Sequence, residues 1–289
     1  MSSPERVVAG YDGSEPAALA VRWAARHARL LDADLEVVHC SLWPLLTSDL
    51  GPVQGIAGSG LRHQAQVVLD QGKVEALTAA SEVRIRTSLL YGLPPPHLRR
   101  MSDGAAMLVL GSRGIGGFMG LLVGSVSLEL AATATCPVVV VRFDNNPGGR
   151  VVVGIDSSGS AGALGKACAI ATATGADLLI IHIIHSPDGR AGSAASVGPE
   201  AAGHVLGTAV RQARALAPEL TISQELATDT SIPRALLNAA RGAALIVVGS
   251  KGQGLIKGTF GSNAHAVLHH ATGPVMICRQ PSGSRQAAV

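Results

Sequence analysis

The stretch AAMLVLGSRGIGGFMGLLVGSVS, Ala105 to Ser127, carries a strand, a glycine-rich loop and the start of a helix in one pass. Met107, Leu108, Val109 and Leu110 form a short apolar run of the length expected for a buried strand. Glycines follow at 111, 114, 116, 117, 120 and 124; they permit close backbone approach and positive φ, which a loop needs if its amides are to wrap an anion. From Ser125 to Ala134 small and apolar residues return with helical spacing. Gly124 and Ser125 therefore stand where a helix begins, and the first N–H groups of a helix lack intrahelical partners and attract phosphate. Arg113 adds charge, and Ser125 and Ser127 add hydroxyls.

Working outward, the same passage occurs again. AAMLVLGSRGIGG returns as AALIVVGSKGQG at Ala243 to Gly254, VVAGYDGSEPA at Val7 to Ala17 as VVVGIDSSGSA at Val151 to Ala161, and ADLEVVH at Ala33 to His39 as ADLLIIH at Ala176 to His182. CPVVVVR, ending at Arg142, returns as GPVMICR, ending at Arg279. Repetition of this kind decides the fold. It gives two copies of one domain, residues 1–146 and 147–289, joined through FDNNPGGR at Phe143 to Arg150, whose Asn, Pro and Gly content marks a linker.

Within the first copy the pattern predicts strands at Arg6 to Asp12, Leu35 to Cys40, Val83 to Leu89, Met107 to Leu110 and Pro137 to Arg142. Helices are expected at Glu15 to Leu31, up to about Ala80, at Pro94 to Asp103 and at Ser125 to Ala134. Strands and helices in alternation specify an α/β fold: two tandem Rossmann-like domains, each a five-stranded parallel twisted sheet with helices on both faces. In such sheets ligands collect at the carboxyl ends of strands where strand order reverses. The glycine loop, Gly10 to Asp12 and Cys40 all fall at such ends.

Composition agrees. Only 2% of the 289 residues are aromatic, so the core is built from Val, Leu, Ile and Ala, as parallel sheets require. A net charge of +3 with no basic stripe interleaved with aromatics argues against nucleic acid. No apolar run approaches the roughly 20 residues of a membrane span, and MSSPERVVAG lacks a signal layout, so a cytoplasmic protein is expected. Cys40, Cys136, Cys168 and Cys278 are widely spaced and read as buried thiols. His265, His269 and His270 share a helix face but lack a further ligand at matching spacing, so no metal site is expected. His39 and His182, in apolar strands, read as neutral imidazoles bonded to backbone.

Two other phosphate loops do not fit. The two Gly-Lys pairs, Gly72–Lys73 and Gly165–Lys166, precede Val74 and Ala167 rather than Ser or Thr, and the glycines follow a late strand rather than the first strand of a βαβ unit. The spacing found is G-x-x-G, nine residues, then G-S, at Gly111, Gly114, Gly124 and Ser125. It resembles that of the ATP-binding universal stress proteins, and the resemblance covers nearly the whole chain as two tandem domains.

That resemblance implies an ATP site, with Mg²⁺ carried by the phosphates, formed by Gly10 and Asp12 toward the adenine, Cys40 in the adenine pocket, and Gly111, Ser112, Arg113, Gly114, Gly116, Gly117, Gly124, Ser125, Val126 and Ser127 around the triphosphate. In the second copy it implies Gly154, Asp156, Ile183, Gly249, Ser250, Lys251, Gly252, Gly254, Gly261, Ser262 and Asn263. The second copy departs from the pattern: eight residues separate Gly252 from Gly261, and Ala264 replaces Ser127. The loss of a hydroxyl–phosphate bond would cost on the order of 1 kcal/mol, so the first site is expected to bind more tightly. The resemblance further implies pairing of the last strands and a homodimer.

Asp12 and Asp156, which precede Gly-Ser and Ser-Ser, also have the alternative of capping the following helix. Between Gly111 and Ser127 there is no Asp, Glu, His or Gln to activate water, so a nucleotide-binding regulator of the stress response with little or no hydrolysis is expected. The alternatives are a weak ATPase or self-phosphorylating enzyme, with Ser125 or Ser127 as acceptor, and a fold relative holding flavin.

Overall fold

The computed structural model describes residues 5–42, 57–115, 122–144, 146, 148–187, 198–250 and 260–279. Gly116, Gly117, Lys251, Gly252 and Gly254 lie outside these residues. The chain divides into two compact units, one of Met1–Asn145 with Thr272–Pro274 and one of Asn146–Ala271 with Val275–Val289.

The first unit runs β1 (Arg6–Gly10), α1 (Glu15–Leu30), β2 (Asp34–Ser41), α2 (Ala57–Ala79), β3 (Ile85–Tyr91), α3 (Pro94–Met101), β4 (Met107–Gly111), α4 (Ser125–Thr133) and β5 (Val138–Val141). Its strands are parallel in the order β3-β2-β1-β4-β5. The chain thus steps one way from β1 through β3 and then returns past β1 to β4. Right-handed crossovers put α1 and α2 on one face and α3 and α4 on the other, and α1 packs on α2 and α3 on α4. The carboxyl ends of β1 and β4 are therefore where strand order reverses.

The second unit repeats this with β6 (Val151–Ile155), α5 (Ala161–Thr174), β7 (Leu178–His185), α6 (Pro199–Leu216), β8 (Ile222–Asp229), α7 (Ile232–Ala239), β9 (Leu245–Gly249), α8 (Ser262–His270) and β10 (Val275–Cys278). Its strand order is β8-β7-β6-β9-β10, again parallel. Strands β4 and β5 are buried along their whole length, which is why they read as continuous aliphatic runs. Edge strand β3 is half-buried or exposed at every residue without strict alternation, and it begins at Ile85 rather than Val83.

Small side chains let the helices lie close to the sheet. Ala17, Ala18, Ala20, Val21, Trp23, Ala24, Ala25 and Ala28 form the buried stripe of α1. Trp23 stacks on His27 with ring centroids 3.5 Å apart and an interplanar angle of 16°. His27 donates from Nδ1 to the Trp23 carbonyl at 2.9 Å, and burial pushes its pKa from 6.5 down to about 4. Between those two values the unfolded chain binds a proton that the folded chain refuses, so stability falls as the solution is acidified. Relative to His27→Leu, the wild type is expected to lose about 2 kcal/mol more on acidification through this window, as read from urea transitions.

Candidate functional site

In the first unit a cavity of about 930 Å³ opens at the carboxyl ends of β1, β2 and β4, within the range of roughly 300–1,000 Å³ typical of small-molecule sites. It brings together Gly10, Asp12, Cys40, Gly111, Arg113, Gly114, Gly124, Ser125, Val126 and Ser127. In the second unit a cavity of about 360 Å³ brings together Gly154, Asp156, Ile183, Gly249, Ser250, Gly261, Ser262 and Asn263. Ser112 is only 2% exposed and stands behind the first cavity.

The floor of each cavity is a backbone clamp. Ser112 donates its N–H to the Val141 carbonyl at 2.9 Å, and its own carbonyl accepts from Gly124 at 2.7 Å. The second unit makes the same pair, Ser250 to Cys278 at 2.8 Å and Gly261 to Ser250 at 2.9 Å. Each glycine loop is thus pinched shut at its base, and the chain leaves the pinch directly into α4 or α8. The caps of these helices, Gly124 and Gly261, supply no side-chain hydrogen bond. Leu128 is the first residue of α4 to bond back, to Gly124 at 3.1 Å, so the amides of the first turn face the cavity with their helical partners missing. By contrast α1 is capped by Ser14 and α7 by Ser231.

Asp12 links two sides of the first cavity. Its Oδ1 accepts from Ser14 N–H at 3.0 Å and Ser14 Oγ at 2.6 Å, and its Oδ2 accepts from Ile115 N–H at 2.9 Å. The first strand ends at Gly10 rather than Asp12, and the cap of α1 is Ser14. Asp12 therefore orients the cap and tethers the loop beyond β4. A Cβ on Gly114 would lie 2.3 Å from Asp12 Oδ2, so glycine is required there by the tether itself. Asp156 accepts instead from Ser158 N–H at 2.9 Å and from the Ser158 and Ser160 hydroxyls. Ser160 caps α5 with a left-handed backbone, and the helix begins at Ala161.

Ser127 lies against the floor rather than in the open. Its hydroxyl donates to the Gly111 carbonyl at 2.8 Å and the residue is buried. Loss of this bond in Ser127→Ala is expected to cost about 1 kcal/mol in a urea transition. His39 donates from Nδ1 to the Tyr11 carbonyl at 2.8 Å, and His182 to the Ile155 carbonyl at 2.9 Å. A carbonyl only accepts, so both rings carry the proton on Nδ1 and brace the second strand against the end of the first. Burial pushes the Cys40 thiol up to about 11, so it lines the wall as a neutral, apolar group.

Positive charge gathers where the loop returns. Arg142 donates to the Leu122 carbonyl at 2.5 Å, and burial, with the neighbouring Arg113 guanidinium, makes its cation less favourable than in water. The role of Arg142 was not read from sequence, although the repeat of its arginine as Arg279 signalled it. Also missed was the apolar wall of Leu42, Leu61, Leu93 and Leu98. Leu93 is the cap of α3 and gives it no side-chain hydrogen bond, a choice worth about 1 kcal/mol less than Ser, Thr, Asp or Asn. Among the described residues no cluster of three or more His, Cys, Asp or Glu is placed to hold a metal, and no helix is long and apolar enough to cross a membrane.

The profile of the Universal stress protein family matches residues 4–142 and again 149–279. The chain belongs to that family. Among relatives, universal stress protein Rv2005c of Mycobacterium tuberculosis is 32% identical over 302 residues, spanning 97% of this chain and 100% of that protein. A universal stress protein of Mycolicibacterium smegmatis is also 32% identical over 302 residues, spanning 94% and 96%. A solved universal stress protein structure from Archaeoglobus fulgidus shares the fold, with a TM-score of 0.71 at 21% identity, covering 95% of this chain and 98% of that one. Universal stress protein domains thus account for both units.

Proposed function

We propose that this universal stress protein binds ATP in the first cavity, and more weakly in the second, and acts as a nucleotide-binding regulator of the stress response with little or no hydrolysis. The observation that carries the reading is the uncapped first turn of α4, whose unpartnered amides lie at the cavity floor beside Arg113. A helix start of this kind is suited to a polyphosphate, and the arginine adds the charge that amides lack. Mg²⁺ comes bound to the nucleotide, held by phosphate oxygens. Gly10, Asp12 and Cys40, beyond the ends of β1 and β2, complete the cavity wall against which the base is proposed to lie.

Slow turnover follows from how the acids are used. Both Asp12 oxygens already accept hydrogen bonds, three in all, so this carboxylate is poorly placed to take a proton from water. Glu129, exposed on the second turn of α4, also lines the cavity and gives a weak ATPase a candidate base. Phosphate release that exceeds the uncatalysed rate and vanishes in Glu129→Gln would establish that second reading.

Calorimetry with ATP and Mg²⁺ tests the main one. Two classes of site per chain are expected, the weaker one attributable to the unit with the smaller cavity and a glycine loop shorter by one residue. No heat of binding at millimolar ATP would end the proposal. The protein is further proposed to be a cytoplasmic homodimer, a state that light scattering would contradict by returning the 29.3 kDa monomer mass.

A further inference from the structure

The two cavities share a floor and differ at the rim. In the first, Leu42, Leu61, Leu93 and Ile115 line the cavity yet keep 40%, 42%, 57% and 75% of their surface exposed. They come from four separate segments: the end of β2, α2, the cap of α3 and the loop after β4. Aligning the units on the strand registers sets His185 against Leu42, and the matching helix caps set Ser231 against Leu93. In sequence, Gln253 stands against Ile115. Leu42 and Leu93 of the first rim thus correspond to polar residues of the second unit, of which His185 lines its cavity, and the first cavity encloses more than twice the volume, about 930 against 360 Å³.

Neither capping nor core packing accounts for Leu93. It gives no hydrogen bond to α3 and is more than half exposed, in a place where the second unit uses a serine that does bond, to Arg234 N–H. Its direction within the cavity is also set. With strands ordered β3-β2-β1-β4, the uncapped amides of α4 lie at the β4 side, whereas Leu42 and Leu93 follow β2 and β3. An anionic tail drawn to the amides leaves the other end of its ligand among leucines.

We propose that the first cavity takes an adenine nucleotide whose base carries an apolar substituent, with the phosphates at α4 and the substituent among Leu42, Leu61 and Leu93. The proposal rests on the nucleotide reading given above and names the ligand class of that same site. The leucines line a concavity continuous with the phosphate end, which suits one elongated amphipathic small molecule better than a flat partner surface.

The test compares ATP with ATP benzylated on the exocyclic amine of adenine, by calorimetry on the full chain with Mg²⁺. One site per chain is expected to prefer the benzylated nucleotide by about tenfold or more, the gain from burying the added ring. The double variant Leu42→His, Leu93→Ser copies the second unit and gives α3 a capping hydroxyl, so it should keep its melting temperature while the preference falls to about unity. A preference that survives in the double variant overturns the proposal. If ATP binds and the benzyl group brings no gain, this inference fails and the ATP reading stands; if neither nucleotide binds, both fail.

Discussion

Gly111→Val is expected to destabilise the first unit by about 4 kcal/mol, the largest effect of any single substitution near the site. A Cβ on Gly111 would come within 2.6 Å of the Pro16 carbonyl carbon, 2.7 Å of its oxygen and 2.8 Å of the Ala17 nitrogen. All three are backbone atoms in the first turn of α1, so no rotamer change relieves the clash. Either α1 lifts off the sheet or β4 slides, and both moves open a core in which Ala17, Val109 and Leu110 are nearly fully buried. The Gly111 carbonyl would also leave the Ser127 hydroxyl that it accepts from. Urea unfolding followed by circular dichroism reads the effect; a midpoint close to wild type would show that the helix start is more yielding than its packing implies.

Gly114→Ala is expected to spare most of the stability and to lower ATP affinity at the first site by about thirty- to a hundredfold. Here the atom met by the new Cβ is the end of a side chain, Asp12 Oδ2, which can turn away. Turning breaks the tether to Ile115 N–H, a charge-assisted bond that holds the loop beyond β4 against the end of β1. The loop amides then lose their fixed direction, and the displaced carboxylate swings through a cavity meant for an anion. Calorimetry separates the two parts of this expectation. A normal melting temperature with unchanged ATP affinity would show that the tether plays no part in shaping the site.

The architecture was legible because the chain repeats itself. Two copies of a strand-helix alternation leave little freedom, and the aliphatic runs of β4 and β9 have no other place than the middle of a doubly covered sheet. Positions of the glycine motif were legible too, since spacing alone brings Gly111, Gly114 and Gly124 to one end of one strand. Sequence does not show what a polar group is bonded to. Ser127 was read as a hydroxyl for phosphate, whereas in the fold its proton goes to the Gly111 carbonyl. Asp12 was weighed between ligand contact and helix capping; it bonds the capping serine and the opposite loop. Leu93 was hidden for another reason: ahead of three prolines it reads as ordinary loop, and only its exposure at a helix cap singles it out.

The pinch at the base of each loop frees what lies between its ends. Because Ser112 and Gly124, or Ser250 and Gly261, meet through main-chain atoms alone, nothing in the joint depends on the identity or number of the residues it encloses. The units already differ by one residue there, eleven against ten, and the joint is made in both. Ligand preference in this scaffold can therefore drift by exchange of a removable cassette while the surrounding architecture is inherited unchanged, and a duplicated chain can specialise one copy without placing the other at risk.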